Sequence, residues 1–138
     1  MPDADGGTDA GTAGVVTKPS AHSVPDTVAR FVELLESKGV KVFAVIDQRA
    51  EATAVGLELR ETTLVIFGNP AAGTAVMEAA PLSALDLPLK VLIWAEPGQG
   101  TRVSYTDPDT VAARYGLSAE SAAPLQAVHA LTDALVSG

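Results

Sequence analysis

A chain of 138 residues has the length of one ordinary domain, and its 17 acidic against 9 basic residues leave a net charge of −8 at pH 7. With 47% hydrophobic and only 19% charged residues the chain can bury a core, which excludes wholesale disorder. The acidic balance and the lack of clustered Lys and Arg speak against nucleic acid or an anionic membrane as partner, and the absence of cysteine removes disulfides, thiolate metal sites and cysteine nucleophiles together.

From Met1 to Gly14 the chain carries Asp3, Asp5 and Asp9 but neither a basic start nor an apolar stretch, so no secretory signal is expected. No apolar run approaches the roughly 20 residues that span a bilayer. A soluble, cytoplasmic protein is the expectation. Residues 1–13 alternate Gly, Ala, Thr and Asp without a hydrophobic period and read as a disordered tail, leaving 14–138 as a single α+β domain.

Val15, Val16 and Thr17 open that domain as a short strand. Ser23, followed by Pro25 and Asp26, has the chemistry of an N-cap, and Val28, Phe31, Val32 and Leu35 then fall on one helical stripe that Gly39 should end. Lys41 to Ile46 is dense in strand formers and stops at Asp47, a cap for a short helix that Gly56 closes. Thr62 to Phe67 is continuously apolar in its second half, the pattern of a strand buried on both faces. Asn69 and Pro70 pair an N-cap with a first-turn proline, starting a helix that Pro81 must stop.

Leu89 to Ala95 is the next strand. Pro97 to Gly100 forms a hairpin turn, and Thr101 to Tyr105 returns with Val103 and Tyr105 on one face and Arg102 and Ser104 on the other. Asp107 and Pro108 start a short helix that Gly116 ends. Ser118 opens a last helical region with a core face of Leu125, Val128, Leu131, Leu135 and Val136, which Pro124 threatens to break. The order β-α-β-α-β-α-β-β-α-α, with one hairpin, favours a two-layer α+β domain whose helices pack on a mixed or antiparallel sheet.

Several separated blocks carry a family resemblance: Val16 to Val24, Val65-Ile66-Phe67-Gly68-Asn69-Pro70, Gly73-Thr74 with Met77, Asp86-Leu87-Pro88-Leu89-Lys90, Trp94, and Tyr105-Thr106-Asp107-Pro108. In order and spacing they resemble the domain of unknown function 302, from about residue 15 to the C-terminus. The resemblance implies a compact, dimeric α+β fold found mainly in bacteria and archaea, and it implies no activity. Two departures stand out: Gln48 follows Ile46-Asp47 where the family has His, and Ala71 follows Pro70 where the family has Lys. Any chemistry those side chains perform in relatives is lost here.

The residues themselves offer two candidate ligand sites. Asn69, Gly73, Thr74 and Met77 lie at or just beyond a strand-to-helix junction, where free amides and the helix end suit an anionic or carbonyl-bearing ligand; the plainer account makes Asn69 a helix cap. Trp94 shares a strand face with Lys90 and Leu92, an aromatic and a cation that can grip a planar acidic ligand with Tyr105 and Met77 as neighbours. Its plainer account is a core or dimer-interface Trp with Lys90 passing beside it. Asp86 can accept loop amides, pair with Lys90, or make an Asx turn.

Two histidines, His22 and His129, are too few for a metal site, and Ser83, Ser104, Ser118 and Ser121 lie in no nucleophile motif. No cofactor is specified. The leading expectation is a non-catalytic small-molecule-binding module acting as a homodimer. The alternatives are a small-molecule enzyme using Asp86 or Thr74 with Lys90, or a structural dimerisation module joined through Trp94.

Overall fold

The computed structural model describes residues 12–138, so the tail expected over 1–13 lies outside the described residues save for its last two. Five strands form one sheet: β1 (Val15–Ser20), β2 (Lys41–Asp47), β3 (Thr62–Gly68), β4 (Leu89–Glu96) and β5 (Gly100–Thr106). Their spatial order is β1-β5-β4-β3-β2 and every neighbouring pair is antiparallel. Helix α1 (Val24–Ser37) connects one edge of the sheet to the other, and β2 to β5 then return as a meander to meet β1. The α+β expectation holds, with an antiparallel rather than a mixed sheet.

Local chemistry places the helix starts. Ser23 accepts the amide of Asp26, Asp47 that of Ala50, Asn69 those of Ala71 and Ala72, Asp107 that of Asp109, and Ser118 that of Ser121. These bonds begin α1, α2 (Gln48–Ala54), α3 (Pro70–Ala79), α4 (Pro108–Tyr115) and α5 (Ala119–Ala122). Each satisfies amides that have no partner within the helix. Gly39 and Gly116 leave α1 and α4 at φ of +71° and +65°, a backbone region that disfavours side chains. Pro124 does break the last helical region, into α5, a 3₁₀ turn over Ala123–Gln126 and α6 (Ala127–Ser137). Another 3₁₀ turn, Pro81–Asp86, joins α3 to β4.

One face of the sheet supplies Val65, Phe67, Val91, Ile93, Val103 and Tyr105, and the helices answer with Val24, Phe31, Leu35, Val128, Leu131 and Leu135. Phe31 and Phe67 meet edge to face at 5.3 Å between ring centres. A second apolar cluster of Val76, Val111, Ala122 and Leu125 ties α3, α4 and α5 together. The expectation of a strand buried on both faces fails at β3, where Thr63, Val65 and Phe67 are buried but Leu64 and Ile66 only partly so. The helices α1 and α6 pack on one face of the sheet, so its other face keeps a half-exposed apolar surface.

Candidate functional site

The sheet face that carries the core ends at an apolar cavity of about 550 Å³, bounded by the end of β3, α3, the start of β4 and the turn into α6. All four residues expected at the strand-to-helix junction, Asn69, Gly73, Thr74 and Met77, line it. They do so because a helix starting at Pro70 turns positions 73, 76 and 77 to one side. Leu87, Pro88 and Leu89 form the opposing wall, with the Leu87–Pro88 peptide cis, and Leu125 and Leu131 close the inner end.

The first-turn amides and the Thr74 hydroxyl of this junction are already engaged. Asn69 Oδ1 accepts the amides of Ala71 at 3.0 Å and Ala72 at 3.2 Å, the Gly73 amide donates to Asn69 O at 2.8 Å, and Pro70 has no N–H. Thr74 Oγ1 donates back to Pro70 O at 2.7 Å. No first-turn amide is left for an anion, so the capping account of Asn69 describes the geometry and the amide-cradle account does not. What the cavity offers a ligand is apolar surface.

Asp86 and Lys90 stand apart, in a smaller cavity of about 280 Å³ that shares Leu89 and Leu125 with the first. Neither the Lys90 pair nor the Asx turn expected for Asp86 forms as its main contact. Its carboxylate accepts from Tyr115 Oη and, at 2.8 Å, from Arg114 Nη1, because α4 passes beside the 3₁₀ turn. Lys90 Nζ instead donates to Pro88 O at 3.2 Å. The Tyr115 hydroxyl and then the Arg114 guanidinium hold the Asp86 carboxyl below its ordinary value, against the opposing effect of burial.

A depressed carboxyl stabilises the fold above its unfolded value of about 4 and loses that contribution as pH falls through the folded value. Tyr115→Phe is therefore expected to lower stability modestly at neutral pH, through the loss of one solvent-screened charge-assisted bond. The deficit should shrink as pH falls through the lowered folded value of Asp86, where both proteins come to hold a neutral carboxyl. Urea midpoints measured across pH 2–7 check this, and a deficit that persists at the acid end would refute the assignment.

Trp94 belongs to neither cavity. As alternation requires, it shares the outer sheet face with Lys90 and Leu92, but its cross-strand neighbours are Arg102 and Thr62. Its Nε1 donates to Ser104 Oγ at 2.9 Å, and Ser104 bonds Thr17 at 2.8 Å. The expected grouping of Trp94 with Tyr105 and Met77 does not form: Tyr105 points to the helical face, and Met77 is on α3 in that layer.

Tyr105 instead joins a network that sequence reading missed. Its hydroxyl meets His129 Nδ1 at 2.7 Å, while Lys18 Nζ reaches Thr132 Oγ1 at 2.6 Å and Asp133 at 2.8 Å and lies 5.1 Å from the Tyr105 ring centre. Burial opposes the Lys18 charge, but the hydrogen bonds to Asp133 and Tyr105 outweigh it and raise its pKa. One signal was available, since a tyrosine on a core-facing strand position needs a partner for its hydroxyl. The network fastens α6 to β1 and β5. Among the described residues no three His, Asp or Glu side chains gather to hold a metal.

Fold and cavity together define a small α+β module with one helical layer over an antiparallel sheet and an apolar pocket at the strand ends. The chain belongs to the family described as domain of unknown function DUF302, whose model matches residues 16–135. An uncharacterized conserved DUF302 protein from Bacillus stearothermophilus has the same fold, with a TM-score of 0.76, 16% identity and coverage of 91% of this chain and 98% of that one. Relatives from Brucella suis biovar 1 (strain 1330) and Brucella abortus biovar 1 (strain 9-941) are each 36% identical over 116 residues, 84% of this chain. Both are named Fluoride-specific ion channel FluC 1. The matched segment makes up 46% and 43% of their lengths, so the chain spans less than half of these relatives.

Proposed function

We propose that this chain is a non-catalytic module that binds a small, predominantly apolar molecule in the cavity between α3 and the start of β4. The observation that carries this reading is a cavity of about 550 Å³ with an apolar lining and an amide rim consumed by its own cap. Such a site rewards burial of apolar surface and gives a charged ligand little to replace its water. The acidic, cysteine-free composition suits a cytoplasmic setting.

The uncharged fluorophore N-phenyl-1-naphthylamine is a direct probe. Its emission should rise and saturate at one molecule per chain, and sodium fluoride should leave the titration where equimolar sodium chloride leaves it. A probe that stays dark in the presence of folded protein would overturn the reading.

The Brucella relatives favour a second reading, in which the module serves a membrane protein that handles fluoride. We place ion conduction in those relatives outside the shared segment, since no helix among the described residues is long and apolar enough to cross a membrane. The cavity is not matched to fluoride on this reading either, because its predominantly apolar wall offers little to replace the water of a small hydrated anion.

A further inference from the structure

We propose that the smaller cavity, at the start of β4 and the end of β5, is a second ligand site that takes a short apolar monocarboxylate, its carboxylate held by Lys90. The cavity measures about 280 Å³, and unlike the larger one it is lined by charged side chains, Asp86 and Lys90. Lys90 and Thr106 reach it from neighbouring strands, each two positions from the facing pair Leu92 and Ser104 and toward the same end of the sheet. Leu89, Val111, Leu125 and Val128 give it an apolar floor drawn from β4, α4, the turn into α6 and α6 itself.

Of the acid and the base in this lining, only the acid is compensated. Asp86 Oδ2 accepts from both the Tyr115 hydroxyl and Arg114 Nη1, the latter at 2.8 Å. The half-buried Lys90 ammonium donates to the Pro88 carbonyl at 3.2 Å and forms an ion pair with no carboxylate of the described residues. Its charge is felt at Asp86, where after Tyr115 and Arg114 it helps to hold the carboxyl down, yet the two side chains do not meet. An ammonium has three N–H donors, so two of them remain for a ligand. Thr106, exposed and without a side-chain hydrogen bond to the described residues, offers a hydroxyl beside them.

A partly desolvated cation without a counter-charge is the feature that an anion repairs. Because the chain carries −8 overall, this is a local property of the cavity and not a general attraction for anions. The floor then selects among anions. Inorganic phosphate would answer Lys90 but gain nothing from Leu89, Val111, Leu125 and Val128, whereas a carboxylate on a short hydrocarbon chain uses both. This site does not rest on the reading of the larger cavity, and either can fail without the other.

Equilibrium dialysis of the full chain against radiolabelled hexanoate tests the assignment. One hexanoate per chain is expected to bind, displaced by unlabelled hexanoate but not by equal concentrations of acetate, which lacks the chain, or hexylamine, which lacks the carboxylate. Lys90→Met keeps the apolar stem and removes the charge, and is expected to weaken binding at least tenfold with an unchanged circular dichroism spectrum. Thr106→Val, of nearly the same shape at an exposed strand end, is a second variant that is expected to weaken binding several-fold should Lys90→Met not fold. Wild-type chain that retains no label at millimolar hexanoate overturns the proposal. So does label that folded Lys90→Met holds as tightly as wild type, or that acetate or hexylamine displaces as well as hexanoate does.

Discussion

Gly73→Leu is expected to abolish binding of N-phenyl-1-naphthylamine, with at least a tenfold loss, while making the protein more stable. The two effects have separate causes. Gly73 sits inside α3 with helical backbone angles, so exchanging glycine for a residue with a side chain restricts the unfolded chain and favours the helix by about 0.5–1 kcal/mol. A Cβ built there meets no atom within 4 Å, so the change causes no clash at its root. The rest of the leucine then extends from a residue that lines the cavity, beside Met77 and Val76, and fills the space the probe needs. Binding by fluorescence and stability by urea midpoint should move in opposite directions. Unchanged binding in a stabilised protein would mean that the probe, and the ligand class it represents, sits elsewhere.

Phe31→Ala should produce the largest stability loss of any single change considered, about 3–5 kcal/mol. The side chain is fully buried, lies on the stripe by which α1 grips the sheet, and meets Phe67 edge to face. Its removal forfeits apolar burial, the aromatic pair and the packing around the resulting void, since neighbouring strands collapse only in part. Against a total stability of roughly 5–15 kcal/mol, the variant would lose between about a fifth and all of it. Phe31→Leu, which keeps most of the volume, should cost about 1–1.5 kcal/mol. Urea denaturation followed by circular dichroism distinguishes these, and near-equal midpoints for wild type and Phe31→Ala would show that α1 is not the clamp on this core.

What could be read from the sequence was what the chain decides within a few residues. Ser23, Asp47, Asn69, Asp107 and Ser118 each cap a helix with a side chain two or three residues from the amide it binds, so composition at those positions sufficed. Alternation likewise put Trp94 with Lys90 and kept Val103 with Tyr105. Partners set by tertiary packing were not legible. Residue type pairs Trp94 with Tyr105 and Met77, yet Tyr105 faces the helical layer and Met77 lies within it, both on the far side of the sheet from Trp94.

The same divide runs through the site. Asn69, Gly73, Thr74 and Met77 came together because one short helix carries them, whereas Leu87, Leu125 and Leu131 reach the cavity from three other segments with no local signal. Asn69 is the instructive case. Its residue type fits both a cap and a ligand contact, and only the positions of the Ala71, Ala72 and Gly73 amides decide between them.

The pairing of β1 with β5 has a bearing on how the protein is made. Val15 faces Thr106 and Ser20 faces Thr101, while every other strand pair joins neighbours in sequence. Of the five strands β1 is synthesised first, yet its partner is made only when about three-quarters of the chain is complete. Until then Val15 and Val16 stay unpaired, and closing the intervening loop costs entropy that no earlier contact offsets. The meander from β2 to β5 can assemble from local hairpins in the meantime, so the strand synthesised first is the last to find its place.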